Sequence, residues 1–153
     1  MILYRLAIES DLPALAQLRW DFRTEWSETP PPGKEEFLAY CTDFLLQGWT
    51  SRQWVYWIAE DEGEIVSQIF VLRITKVPKP ARWQDEFGYV TNVYTRPAYR
   101  NQGIGTQLIQ QVKAWAQAED LGLLVLWPSE RSVPFYERAG FSAENEILEC
   151  AFR

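Results

Sequence analysis

No histidine occurs in the 153 residues. A histidine general base, a Ser–His or Cys–His nucleophile pair and the commonest zinc ligand are thereby excluded, and no metal is expected. Cysteine is nearly as scarce. Cys41 falls in a helix-like pattern and Cys150 in a strand-like one, which reads as two reduced core thiols rather than a disulfide. No apolar run approaches the ~18 residues of a membrane span, and residues 1–5 lack the architecture of a signal peptide. The expectation is a cytoplasmic protein with no membrane partner. Basic residues are outnumbered, 15 against 21, for a formal charge of −6, and they form no cluster. A nucleic-acid partner is not expected. The acidic balance serves solubility and would also steer a cationic amine.

What the chain does contain is ordinary for a globular domain, with 47% hydrophobic and 24% charged residues. Its length suits one domain over residues 1–153, without internal repeat, low-complexity tract or linker. Strands are predicted over 2–7, 53–60, 64–74, 86–95, 123–127 and 141–152. The turn Asp61-Glu62-Gly63 marks a hairpin. Helices are predicted over 11–26, 34–49, 103–119 and 133–139, with Ser10 and Ser132 as caps and Pro13 and Pro134 in first turns. Leu12, Leu15, Leu18, Phe22 and Trp26 recur at helical spacing and should face a core. So should Phe37, Cys41, Phe44 and Leu45 in the second helix, and Ile104, Leu108, Val112 and Trp115 in the third. The wholly apolar run 123–127 has the composition of a central strand. Helices among antiparallel strands, followed by a strand–helix–strand–helix–strand end, make an α/β protein.

The most specific local feature is Arg100-Asn101-Gln102-Gly103-Ile104-Gly105, between a predicted strand and a long amphipathic helix. A helix start leaves about four backbone N–H groups without intrahelical partners, and its dipole makes that end electropositive. Glycines there let a phosphate approach the backbone. Two familiar phosphate loops do not fit. Gly103 is followed by Ile104-Gly105-Thr106 rather than Gly-Lys-Ser/Thr, and the third small residue of a dinucleotide fingerprint is replaced by Leu108.

The stretch from Val93 to Gly105, with its Arg-x-x-Gly-x-Gly core, resembles the acyl-CoA-binding motif of the GNAT N-acetyltransferases. Phe135-Tyr136-Glu137-Arg138-Ala139-Gly140-Phe141 resembles the Tyr-x-x-x-Gly-Phe signature near the end of that family. The two occur in the family's order and separation. The resemblance implies a GNAT fold: a mixed central sheet of six to seven strands, helices on both faces, and a splayed parallel strand pair holding acyl-CoA. Here that pair is 86–95 and 123–127.

It further implies acetyl-CoA as co-substrate, with its diphosphate on backbone N–H groups around Gln102, Gly103, Gly105 and Thr106. Val93 and Thr95, with Tyr94 between them, would offer main-chain groups to the pantetheine arm, and an N–H near Val93 would meet the thioester oxygen. Arg100, Asn101 and Ile104 complete the turn. Ser129 stands where the family often has an asparagine that touches the cofactor. Tyr136 matches the tyrosine that donates to the departing thiolate.

The attacking amine must be neutral, which calls for a carboxylate or a water held by one. Asp85, Glu86 and Glu130 are so placed, and Glu86 joins Tyr136 as a catalytic candidate. Of eight tryptophans, Trp20, Trp26, Trp49, Trp54, Trp57 and Trp83 lie in the segments that build the acceptor side. They either pack the core or line a pocket for a small-molecule or peptide amine. Alternatives to an N-acetyltransferase are a non-catalytic acyl-CoA-binding module and a protein–protein adaptor. The final strand would be free to pair across a homodimer.

Overall fold

Three long strands and a shorter first one carry the fold, and a fifth barely joins them. The computed structural model describes all 153 residues. In chain order they form β1 (Ile2–Leu6), α1 (Leu12–Thr24), α2 (Lys34–Ser51), β2 (Trp54–Asp61), β3 (Glu64–Thr75), β4 (Glu86–Thr95), α3 (Ile104–Ala118), β5 (Leu124–Val125) and α4 (Val133–Arg138). The sheet runs β1-β2-β3-β4-β5, antiparallel through β4 and parallel between β4 and β5. Glu62 (φ 48°) and Gly63 (φ 88°) supply the two left-handed residues that a tight hairpin between β2 and β3 requires.

Each face of the sheet has its own core. Leu12, Leu15 and Leu18 of α1 and Leu45 of α2 cover Tyr56, Ile58, Phe70 and Tyr94. Ile104, Leu108, Ile109 and Val112 of α3 cover Val66, Ile69, Val71 and Val90 on the other side. The helical spacing of these residues in sequence is therefore the spacing of the buried stripe. No helix is long and apolar enough to cross a membrane.

Several expectations are corrected. The sheet has five strands, not six to seven. Residues 142–153 form no strand, because their polar side chains satisfy nearby backbone groups locally. Ser142 Oγ accepts from Glu144 N–H at 3.1 Å, and Asn145 Oδ1 accepts from Ile147 N–H at 3.0 Å. Such turns compete with a ladder. β5 consequently has no partner on its outer side and is an edge strand of two residues rather than a central one. Asp11, not Ser10, heads α1, its carboxylate accepting from Ile8 N–H at 2.8 Å and held by Arg5 at 2.7 Å. Trp26 lies beyond the end of α1 and is exposed, as are Phe44 and Cys150. Cys41 is half-buried and unpaired, so the two thiols form no disulfide.

Gly48 is where α2 meets β2 most closely. A Cβ there would lie 2.6 Å from Tyr56 Oη, which donates to Leu45 O, and 2.9 Å from Trp54 Cβ. An alanine normally steadies a helix interior by about 1 kcal/mol relative to glycine. Gly48→Ala should instead destabilise the protein by roughly 1–3 kcal/mol through overpacking. A urea midpoint that rises in this variant would contradict the contact.

Candidate active site

β4 gains a residue where it matters. Gln68 stands opposite Tyr94 but Phe70 opposite Thr91, so one residue of β3 faces two of β4. The extra residue is accommodated at Asn92, in the left-handed region at φ 53°. Arg96 N–H donates to Val66 O on β3. Alternation along the strand therefore turns the main-chain groups of Val93 and Thr95 to the opposite edge. No strand lies at that edge: β5 pairs only at Gly88↔Leu124 and Tyr89↔Val125, and β4 runs on without a neighbour there to Thr95. The parallel pair is thus splayed.

The open edge leads to the start of α3. Asn101 (φ 60°) and Gly103 (φ 79°) bend the chain into that helix. The N–H groups from Asn101 to Thr106 have no acceptor in the protein; the next one, of Gln107, donates to Gly103 O. A Cβ on Gly103 would meet nothing within 4 Å, and one on Gly105 would make only ordinary contact with Phe135 and Thr95 at 3.6 Å. Space and donors coincide, as an anionic group requires. The surrounding groove encloses about 610 Å³ and is bordered by Val93, Tyr94, Thr95, Arg100, Asn101, Gly103, Ile104, Gly105, Thr106 and Ser129. Of the residues expected at the turn, only the exposed Gln102 stays outside, its side chain donating to Ala98 O at 3.0 Å.

Arg100 is committed to the protein. Its Nε donates to Thr95 O at 2.9 Å and its Nη2 to Glu25 Oε1 at 2.6 Å, with the guanidinium 5.5 Å from the Tyr94 ring centre. It braces the turn and ties it to the end of α1, while Glu25 offsets its charge. Ser67 Oγ donates to Tyr94 O and accepts from Thr95 Oγ1 at 2.8 Å, fixing the last residues of β4. Ser129 and Ser132 hydrogen-bond one another at the far rim.

The two catalytic candidates are not brought into the groove. Glu86 sits at the start of β4, where Arg73 grips both carboxylate oxygens at 2.9 and 3.2 Å, beside Trp115 of α3 and Glu119 just after that helix. Tyr136 lines a neighbouring cavity of about 560 Å³ together with Val125, Leu126 and Phe141; its α4 neighbour Phe135 reaches the groove. Asp85 is buried beside Lys76 and Lys79, and Glu130 is exposed. Glu25 is the only carboxylate bordering the groove.

A second cavity, of about 360 Å³, lies on the α1–α2 face of β4. Thr91 and Asn92 border it, and Val93, the next residue, borders the groove. Arg19 reaches it from α1 and donates to Asn92 Oδ1 at 3.1 Å. Neither Arg19 nor Asn92 was singled out by sequence. An asparagine, a residue depleted in strands, in the middle of β4 was the available signal for the bulge.

A splayed strand pair opening onto a helix N-terminus with spare donors defines an α/β protein shaped for an extended, anionic ligand. Comparison with known proteins names the class. The model of the acetyltransferase (GNAT) family matches residues 12–141, and the chain belongs to that family. A predicted acetyltransferase of Clostridium acetobutylicum, solved with acetyl-CoA, is 26% identical and superimposes with a TM-score of 0.78 over 99% of this chain and 96% of that one. A glucosamine-6-phosphate N-acetyltransferase of Arabidopsis thaliana, 18% identical, shares the fold at a TM-score of 0.71 over 100% and 99%. A glucosamine 6-phosphate N-acetyltransferase of Trypanosoma brucei brucei is 35% identical over 71 residues, 46% of this chain and 48% of that protein. The match thus spans about half the length of that curated relative.

Burial pushes the Tyr136 phenol from its ordinary 10.0 up to about 12. The protonated form is favoured on folding, so this stabilisation is complete below pH ~10 and is lost as pH rises through about 12. Phenolate absorbance of the wild type minus that of Tyr136→Phe should therefore show one group titrating near 12. A difference centred at the ordinary 10.0 would place the side chain in solvent.

Proposed function

We propose that the chain, acting over residues 1–153 as a single catalytic domain, is an acetyl-CoA-dependent N-acetyltransferase. It transfers the acetyl group to a primary amine of a small molecule, amino acid or peptide by direct attack. The observation that carries this reading is the unpartnered run of N–H groups from Asn101 to Thr106 beside the open edge of β4.

Bound acetyl-CoA supplies the activated thioester. Gln102, Gly103, Ile104, Gly105 and Thr106 hold its diphosphate through backbone N–H groups and the α3 dipole. Val93 and Thr95 offer main-chain groups to the pantetheine arm, and Val93 N–H donates to the acyl oxygen as it gains charge. Tyr94, Asn101 and Ser129 complete the border, and Arg100 keeps the turn in shape. Tyr136 donates to the departing thiolate, its phenol held protonated by burial. Glu25 is neutralised by Arg100, so the amine reaches the site already neutral, having lost its proton to water.

A second reading is a non-catalytic acyl-CoA-binding module. It is favoured by the position of Tyr136 in the neighbouring cavity and by the capture of Glu86 by Arg73. The curated relative keeps glucosamine 6-phosphate among the acceptors to be tried.

Calorimetry with acetyl-CoA tests the site. Gly103→Glu puts bulk and negative charge over the donors and should abolish binding, whereas Gly103→Asn, which tolerates the left-handed backbone, should retain much of it. Equal affinity in both would remove the turn from the site. Among binding-competent proteins, Tyr136→Phe should lower turnover by about 10²-fold or more. Unchanged turnover across pH would dismiss Tyr136 from the mechanism.

A further inference from the structure

Arginines in this protein are almost all answered by carboxylates where they are not fully exposed. Arg5 meets Asp11 and Glu60, Arg73 meets Glu86, Arg96 meets Asp21 and Arg100 meets Glu25. Arg19 is the exception. It is half-buried on α1, has no acidic partner, and makes a single hydrogen bond, from Nη1 to Asn92 Oδ1 at 3.1 Å. Its guanidinium lies 5.8 Å from the Phe22 ring centre. Burial and the neighbouring Arg23 push its pKa down from the ordinary range, opposed only by Cys41 and Tyr89 and by no carboxylate. A guanidinium carries five donors in a planar fork suited to an oxyanion, and a desolvated cation is costly without a counter-charge.

A second observation points the same way. Asn92 is 7% exposed, borders the same cavity, and its Nδ2 has no hydrogen-bond partner. Of the five donors of the Arg19 guanidinium only one is used, and Arg19 borders the 360 Å³ cavity beside Asn92. No carboxylate borders that cavity, and Phe37, Tyr40, Phe44, Trp54 and Phe70 make its walls apolar and aromatic. Such a space suits a ligand that is anionic at one end and apolar elsewhere.

We propose that this cavity is the acceptor subsite and that Arg19, braced by Asn92, selects the acceptor by taking the carboxylate of an apolar or aromatic amino acid. The assignment of the ligand's amine as the group acetylated rests on the acetyltransferase reading; the anion site does not. Position supports the connection. Asn92 borders the cavity and Val93 the groove, one strand residue of about 3.3 Å apart. The bulge thus sets an amine held on one side next to a thioester laid along the other. Apolar walls favour an amino acid over a sugar phosphate, which would offer them hydroxyl groups.

Thiol release from acetyl-CoA is followed with phenylalanine, phenylalaninamide and glucosamine 6-phosphate, in wild type, Arg19→Gln and Arg19→Lys. Phenylalanine should exceed its amide in kcat/KM by about tenfold or more, the worth of one charge-assisted hydrogen bond. That preference should vanish in Arg19→Gln through a rise in KM rather than a fall in kcat, and return in part in Arg19→Lys. Equal use of acid and amide overturns the proposal, and a preference for glucosamine 6-phosphate overturns the amino-acid assignment.

A binding arm needs no turnover. N-acetylphenylalanine should quench the fluorescence of Trp54, assigned against Trp54→Phe, while its amide should not, and Arg19→Gln should abolish the difference. Identical quenching by both overturns the site. Acetyl-CoA affinity, measured by calorimetry on the same samples, reports separately on the groove, so failure of the acetyltransferase reading and failure of this one are distinguishable.

Discussion

One inserted residue in β4 governs how both faces of the sheet are used. Up to Thr91 the strand alternates in step with β3; at Asn92 the step is broken and the phase reversed. Without that shift, the main chain at Val93 and Thr95 would be bound to β3 and the open edge of β4 would offer different groups. With it, Thr91 and Asn92 share the α1–α2 face, Tyr94 returns to the core beneath α1, and Val93 packs towards α3. A left-handed asparagine costs on the order of 1 kcal/mol or more. Arg19, holding its Oδ1, helps to maintain it.

The same constraint explains why β5 is short. β4 and β5 share only two paired positions before Leu126, Trp127 and Pro128 lead the chain away. Trp127 still meets Tyr89 edge-on at 5.1 Å, so the separation begins from a packed hinge rather than a loose end. From there the gap widens towards a helix whose first N–H groups have nothing in the protein to bond. Sheet geometry creates the gap, and helix geometry gives it its charge preference.

Much of this was legible in the sequence because it depends on local chemistry. Strand 86–95 was delimited correctly, since alternation and the proline after it leave little choice. The hairpin at Glu62-Gly63 and the helix after Gly103 followed from residues that tolerate left-handed backbone. Most residues named for the turn border one groove, because a turn is a contiguous thing. What the sequence could not supply were partners brought in by the fold. Glu86 is held by Arg73, 13 positions away on the neighbouring strand, and Arg100 by Glu25, 75 positions away. Residues 141–152 have enough apolar character for a strand, but Ser142 and Asn145 turn the backbone on itself. Arg19 looked like one more charge on a helix until the fold brought it to Asn92.

The ties between α1 and the last turns of β4 have a consequence for how the molecule comes into being. Arg19 to Asn92, Asp21 to Arg96 and Glu25 to Arg100 span 73, 75 and 75 positions of the chain. Contacts of such separation close large loops and are disfavoured early in folding. On a ribosome, the first helix waits for its partners until β4 and the turn after it have emerged. The groove is therefore among the last features to mature, and a chain interrupted before residue 100 has no version of it.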